Sequence, residues 1–210
     1  MHKCAQCAAS PKKEHGEAVK WPGRHLAGTK DQGIICTPTS ESLECFVDSD
    51  FCGEWTPSES DNPATAKSRT GCVIKYAGCP LLWASEKQSL IALSTTEAEY
   101  LALSDALREA IPLLGIIREM RKHGFDIATA PAKVHCKAHE DNSGALEIGT
   151  VHKTRPRTKH INVRVHHFRS HIGKDITVHP IDTKEQQADT LTKIVDLATL
   201  KHLRPMVQGF

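Results

Sequence analysis

Leu43-Glu44-Cys45-Phe46-Val47-Asp48-Ser49-Asp50-Phe51 is an extended run in which apolar residues give way to acids. A strand alternates its side chains between two faces, so Asp48 and Asp50 project to the same side. A polar loop follows from Gly53 to Lys67, marked by Pro57 and Pro63. Residues 70–77 read as a second strand, Gly78-Cys79-Pro80 as a turn, and residues 81–85 as a third strand. Three strands with short links predict an antiparallel meander.

A long helix is expected next. Ser94-Thr95-Thr96-Glu97 fits a capping box, with Ser94 as N-cap and Glu97 as the reciprocating acid. Tyr100, Leu103, Leu107, Ala110 and Leu114 recur at helical spacing and form a core-facing stripe. Pro112 is expected to kink or interrupt this helix near Ile111. A fourth strand beginning over 132–136 would return parallel to the first, as a βαβ connection allows. A short helix over 143–148, a helical stretch near 162–172 and a fifth strand over 175–181 come after it. Thr183-Lys184-Glu185-Gln186 fits a second capping box, opening a helix to about Ile194, and a tail helix is expected over 196–206. The order is an α/β pattern.

The chain has 210 residues and is 39% hydrophobic, enough for one substantial domain with extra segments. Aromatic residues are only 5%, so the core should be built of Leu, Ile, Val and Ala. The net charge of +2 hides a local bias. From His152 to His171 there is no Asp or Glu, while Lys153, Arg155, Arg157, Lys159, Arg164 and Arg169 are present. Such a block suits a phosphate-facing surface. The eight cysteines are irregularly spaced, and several lie in apolar runs, which argues for reduced thiols in an intracellular protein rather than a disulfide framework. Cys4 and Cys7 have zinc-like spacing but no second pair follows. No apolar run reaches membrane-spanning length.

Four acids sit where a short carboxylate would project from an otherwise apolar element: Asp48, Glu99, Asp141 and Asp189. Carboxylates gathered by a fold are what a pair of hard cations needs to clamp a phosphodiester. Each also has an ordinary reading. Asp48 fits a strand edge, Glu99 a solvated helix charge, Asp141 a helix N-cap, and Asp189 an ion pair with Lys193 four residues on. Glu97 and Glu99 lie roughly 200° apart around a helix, so only one faces a given site. Glu97 already serves as the capping-box acid, and Glu140 should project to the side opposite Asp141.

The motifs taken together carry more. Phe46-Val47-Asp48-Ser49-Asp50-Phe51, Lys67-Ser68-Arg69-Thr70-Gly71, Leu93-Ser94-Thr95-Thr96-Glu97-Ala98-Glu99-Tyr100, Glu140-Asp141-Asn142-Ser143-Gly144-Ala145-Leu146, Arg157-Thr158-Lys159-His160-Ile161 and Ala188-Asp189-Thr190-Leu191-Thr192-Lys193 occur in that order. Residues 43–195 closely resemble the ribonuclease H domain of Ty1/copia-type retrotransposon polyproteins. Residues 8–35 resemble the end of the reverse-transcriptase region that precedes it. The expected division is therefore 1–42, a polymerase remnant; 43–195, the RNase H-like domain; and 196–210, a tail helix.

The resemblance implies an RNase H-like α/β fold: a mixed five-stranded sheet, three antiparallel strands then parallel ones, flanked by helices. It implies metal-dependent cleavage of the RNA strand of an RNA–DNA hybrid, with Asp48, Glu99, Asp141 and Asp189 as catalytic metal ligands. Two Mg²⁺ ions are expected, with Mn²⁺ as a fit for the same oxygen site. Arg155, Arg157, Lys159, His160 and Asn142 are the expected hybrid contacts, with His160 and His179 as possible helpers. The implied partners are the hybrid and the reverse-transcriptase region, with no membrane. The implied location is a cytoplasmic virus-like particle or the nucleus. The alternative is a degenerate copy that binds nucleic acid or is inert. A DDE-type integrase on the same fold is disfavoured by the three opening strands and the Glu99 motif. Two positions depart from the family pattern: Trp21-Pro22, expected to break a basic helix, and Ile194, where Pro is usual.

Overall fold

The computed structural model describes residues 4–5, 7–39, 42–125, 127, 135–150 and 166–209. It divides into two compact units, residues 1–34 and 35–210. In the first, helix α1 (Lys13–Thr29) runs unbroken through Pro22 with none of its residues buried. The expected break at Trp21-Pro22 does not occur. Proline removes one backbone donor, here the one aimed at the Ala18 carbonyl, and Ala18 is exposed so water satisfies that acceptor.

The second unit is built on a five-stranded sheet. Its strands are β1 (Leu43–Asp50), β2 (Arg69–Tyr76), β3 (Cys79–Lys87), β4 (Cys136–Glu140) and β5 (Ile176–Pro180), ordered β3-β2-β1-β4-β5. β1, β2 and β3 pair antiparallel, and β4 and β5 join parallel. This is the RNase H-like mixed sheet that the sequence predicts. The β2–β3 turn is Ala77-Gly78, both at positive φ, one residue earlier than expected. Positive φ at both central residues suits a two-residue hairpin, and β3 therefore starts at Cys79.

Helix α2 (Thr95–Lys122) covers one face of the sheet. Ser94 caps it by accepting from Glu97 N, and a Glu97 carboxylate oxygen accepts from Leu93 N. The helix continues through Pro112 rather than ending there. Pro112 is exposed, so the carbonyl left without its donor faces water, while Leu107, Ala110 and Leu114 remain in the core. These side chains pack with Leu43, Cys45 and Val47 of β1, Cys72 and Ile74 of β2, Cys136 and Ala138 of β4, and Ile176 of β5. Tyr100 and Phe168 meet edge to face at 5.7 Å in the same core.

β4 begins at Cys136, the last residue of the span 132–136 in which its start is expected, and the residues of that span before 135 lie outside the described ones. Its inward residues are Cys136, Ala138 and Glu140, too small or too polar to signal a strand by hydrophobicity. α3 (Ser143–Thr150) and the short α4 (His166–Arg169) follow. The helix expected over 183–194 is instead a 3₁₀ turn, Thr183–Glu185, and a separate short helix α5 (Asp189–Thr192). Asp189 is therefore the first residue of a helix, not one turn inside it. α6 (Leu197–Gln208) closes the chain, capped by Asp196.

The segment from Gln186 onward packs on the face of the sheet opposite α2, where Phe46, Val73 and Ala188 form a second small core with Leu191 and Val207. Two features fix it. The parallel β1–β4 register ends at Phe46↔His139, while β1 continues with β2 as far as Asp50. Past that split, fully buried Gln186 donates its side-chain amide to Val47 O at 2.9 Å. The break in the predicted helix lets Gln186 turn inward to do so. The second feature is Gly71, across from Asp48 in the register. A Cβ there would lie 2.7 Å from Thr192 and 3.0 Å from the Ala188 carbonyl, so only glycine lets α5 come this close to β2.

All eight cysteines are free. Among the described residues no helix is long and apolar enough to cross a membrane. Replacing Gln186 by Leu should leave the buried Val47 carbonyl without a donor and destabilise the protein by about 1–3 kcal/mol in denaturant titrations. A change below a few tenths of a kcal/mol would show that this bond does not anchor the segment.

Candidate active site

In sheets with parallel strands, ligand sites form beyond the strand carboxyl ends where neighbouring strands part. β1 and β4 part after Phe46 and His139, and the acids gather there. Asp48 lies two residues past the last β1–β4 pair and has no solvent exposure. Asp141 immediately follows the last residue of β4. Glu99 comes from the first turns of α2, behind the cap that fixes where the helix starts. One carboxylate oxygen from each of Asp48, Glu99 and Asp141 lies within 4.8 Å of the others.

Local structure frees these carboxylates. The α3 cap is made by Asn142, whose side-chain oxygen accepts from Ala145 N at 3.0 Å. Asp141 is thus released from the capping role the sequence offered it, and its Oδ2 accepts from Thr183 Oγ1 at 2.9 Å. Gly144 lets the start of α3 approach α2, since a Cβ there would lie 2.7 Å from Thr96 Oγ1. Asp50 Oδ1 accepts the Arg69 backbone N–H. Glu97 remains at the cap, as its spacing indicates.

Asp189 is joined to this group through a cation. Lys193 Nζ lies 2.9 Å from Asp48 Oδ1 and 3.0 Å from Asp189 Oδ1. The sequence indicates the Asp189–Lys193 pair but not the bond to Asp48, which spans 145 positions. Thr192 Oγ1 donates to the other Asp48 oxygen.

Glu140 corrects another expectation. It does not point away from the site. It is 1% exposed, on the inward face of β4 with Ala138, and interacts electrostatically with Asp48, Asp141 and Glu99. Asp141 lies beyond the strand end, so strand alternation does not separate the two acids. Of the expected hybrid contacts, Asn142 is half-buried and committed to the cap. Arg155, Arg157, Lys159 and His160 lie outside the described residues. Arg169, in the same basic stretch, donates to Tyr100 Oη at 3.3 Å. His179 bonds Thr177 Oγ1 at 2.7 Å.

The electrostatics are those of crowded, dehydrated carboxyls. Burial raises Asp48 to about 6, a rise held down by the Lys193 ammonium and the Thr192 hydroxyl. Burial, then repulsion from Asp48, Glu140 and Asp141, raises Glu99 to about 9. Burial raises Glu140 to about 8, against the Asn142 N–H bond. Burial opposes the charge on Lys193, but Asp48 and Asp189 together outweigh it and its pKa is raised. Among the described residues, Glu99 Oε2 and Glu140 Oε2 are buried without a hydrogen-bond partner.

Buried, unpartnered carboxylate oxygens converging from different elements suit a hard divalent cation. Octahedral Mg²⁺ places its oxygens at about 2.1 Å, hence up to about 4.2 Å apart. The 4.8 Å limit across Asp48, Glu99 and Asp141 exceeds that by an amount a side-chain rotation covers. The donor set fits such an ion.

Sequence relatives agree with the fold. The chain is 35% identical over 187 residues to the retrovirus-related Pol polyprotein of transposon TNT 1-94 from Nicotiana tabacum, a match covering 89% of this chain. It is 30% identical over 196 residues to that of transposon RE1 from Arabidopsis thaliana, covering 92%. The chain belongs with copia-type retrotransposon Pol polyproteins, and its fold is RNase H-like. It spans 13% and 12% of the length of those two relatives. No family model matches it. Among solved structures, LC11-RNase H1 in complex with an RNA/DNA hybrid is similar at 16% identity and a TM-score of 0.45, covering 71% of this chain and 93% of that one.

The raised glutamate pKa values set a pH dependence for the copia-type domain without metal. Glu99 binds its proton up to about 9 when folded, against an ordinary value of 4.5. Between those limits the folded state holds more protons than the unfolded one, so stability falls as pH rises. Glu140 adds the same sign up to about 8. In melts with a chelator, Glu99→Gln should flatten this decline and raise stability at pH 9 by about 1 kcal/mol or more. Parallel wild-type and variant pH profiles would contradict the assignment.

Proposed function

We propose that this chain is a divalent-metal-dependent nuclease that hydrolyses the RNA strand of RNA–DNA hybrids. The observation that carries the reading is the convergence of Asp48, Glu99 and Asp141 at the parting of β1 and β4, with a buried Glu99 oxygen that no described group satisfies. The likeness to copia-type Pol polyproteins supports this substrate class, because reverse transcription leaves RNA paired to new DNA.

Asp48, Glu99 and Asp141 would hold one ion, and Asp48 with Asp189 a second. Asp48 belongs to both sets, which suits a carboxylate bridging two ions. Mg²⁺ or Mn²⁺ bound there supplies an activated water and charge stabilisation for the leaving oxygen. The residues themselves fix the carboxylate positions through the Ser94 and Asn142 caps, the Thr183 hydroxyl and the Thr192 hydroxyl. The basic stretch from His152 to His171 is proposed to face the hybrid backbone, and the reverse-transcriptase region of the parent polyprotein to lie on its N-terminal side.

The test is incubation of the purified chain with Mg²⁺ and a labelled RNA–DNA hybrid, with double-stranded DNA and chelator controls. The RNA strand alone should be cut, and only with metal. Asp48→Asn, Glu99→Gln and Asp141→Asn should each lower the rate by about 10²–10⁴, the worth of several kcal/mol of charge stabilisation. No cleavage by the parent chain, or equal cleavage by Asp141→Asn, would overturn the nuclease reading.

A further inference from the structure

The two halves of the site differ in one respect. Among the described residues no hydrogen bond or ion pair joins a basic side chain to Glu99 or Asp141, although the Lys193 charge is felt at Glu99. Between Asp48 and Asp189 stands the Lys193 ammonium, within 3.0 Å of a carboxylate oxygen of each. Its position is held from both sides. Thr192, the preceding residue, donates to the second Asp48 oxygen, and the absence of a Cβ on Gly71 lets this segment sit against β2. The lysine side chain is nevertheless 39% exposed, against 0% and 10% for the Asp48 and Asp189 side chains. It therefore reaches the carboxylates from the solvent side and has a path back out.

We propose that Lys193 is a tethered cation that occupies the Asp48–Asp189 half of the site and must swing out before a metal ion binds there. This rests on the metal-site reading above and adds an order of filling. The first ion takes the Asp48–Glu99–Asp141 half through the Asp48 oxygen that Thr192 holds, and leaves Lys193 between the other Asp48 oxygen and Asp189. The second competes with an ammonium that is always present at the site because it is part of the chain. A compact ammonium on a flexible stem is suited to such exchange. Its attraction to two dehydrated carboxylates lowers the apparent affinity of the second ion by the fraction of molecules in which the half-site is free. The lysine also keeps Asp48 paired when metal is scarce.

The whole chain is used for the test. Mn²⁺ binding is counted by electron paramagnetic resonance and calorimetry in the wild type, Lys193→Met, Lys193→Arg and Asp189→Asn. Lys193→Met should tighten the second site at least 10-fold relative to the first, Lys193→Arg should keep the wild-type pattern, and Asp189→Asn should lose the second site. A mere change of net charge would strengthen both sites alike, and that result, or no change, overturns the proposal. A wild-type readout covers a variant that fails to fold. The Lys193 ammonium signal in ¹H–¹⁵N spectra should persist after one equivalent of Mg²⁺ and disappear only as the second site fills. Persistence at saturation, or loss with the first equivalent, overturns it. Hybrid cleavage is assayed separately. Sequential filling without cleavage refutes the nuclease reading and leaves the lysine's role standing; cleavage with simultaneous filling does the reverse.

Discussion

Asp48 is a carboxylate with no solvent exposure on the central strand of a sheet, and much of the domain is arranged around satisfying it. Water cannot stabilise its charge there, so the protein must. Thr192 and Lys193 take its two oxygens. Both belong to a segment that adds no strand to the sheet and has only a small apolar contact with it. The segment is located by polar and steric constraints on β1 and β2: Gln186 on the Val47 carbonyl, and Gly71 without a Cβ. The C-terminal acid Asp189 reaches the site through the same contacts that neutralise Asp48. A change that loosened one would loosen the other.

What the sequence made legible was local. The extended run at residues 43–51, the Ser94 cap and the helix opening after Asn142 all depend on neighbours within a few positions, and the structure has them close to where the sequence predicts them. The errors share a different cause. Pro22 does not break its helix and Pro112 does not end its own, since both helices expose the turn whose backbone bond is lost. The helix predicted over 183–194 was a sound local reading overridden by a distant partner, since Gln186 must face Val47. The start of β4 is only loosely marked in the sequence, because Cys136 and Ala138, though fully buried, make a weak hydrophobic signal.

The candidate site divides in the same way. Asp48, Glu99, Asp141 and Asp189 were named from motif order together with the family resemblance; no spacing in the chain shows that three of them meet. Glu140 and Asp141 do not alternate as strand neighbours would, because the strand ends between them. Lys193 had a sufficient local explanation in Asp189 at i−4, and a residue with a sufficient local partner gives no signal of a second one far away in sequence. Only the three-dimensional arrangement shows that it joins the first and last acids of the set.

The fold handles its crowded acids in three different ways. Glu99 and Glu140 are buried and hold protons to about 9 and 8. Asp48 is buried and paired with an ammonium. Asp141 is only half-buried and takes a hydroxyl from Thr183. Each device keeps like charges from opposing folding, and each would be undone differently by divalent ions: at Glu99 a proton would leave, at Asp48 and Asp189 the lysine would move for a second ion, and at Asp141 a neutral hydroxyl need only yield an acceptor. A site built this way resists collapse when empty because its repulsion is already neutralised, and it binds cations only at the cost of displacing what neutralises it. The long core-facing stripe of α2 supplies the apolar burial against which that arrangement is held.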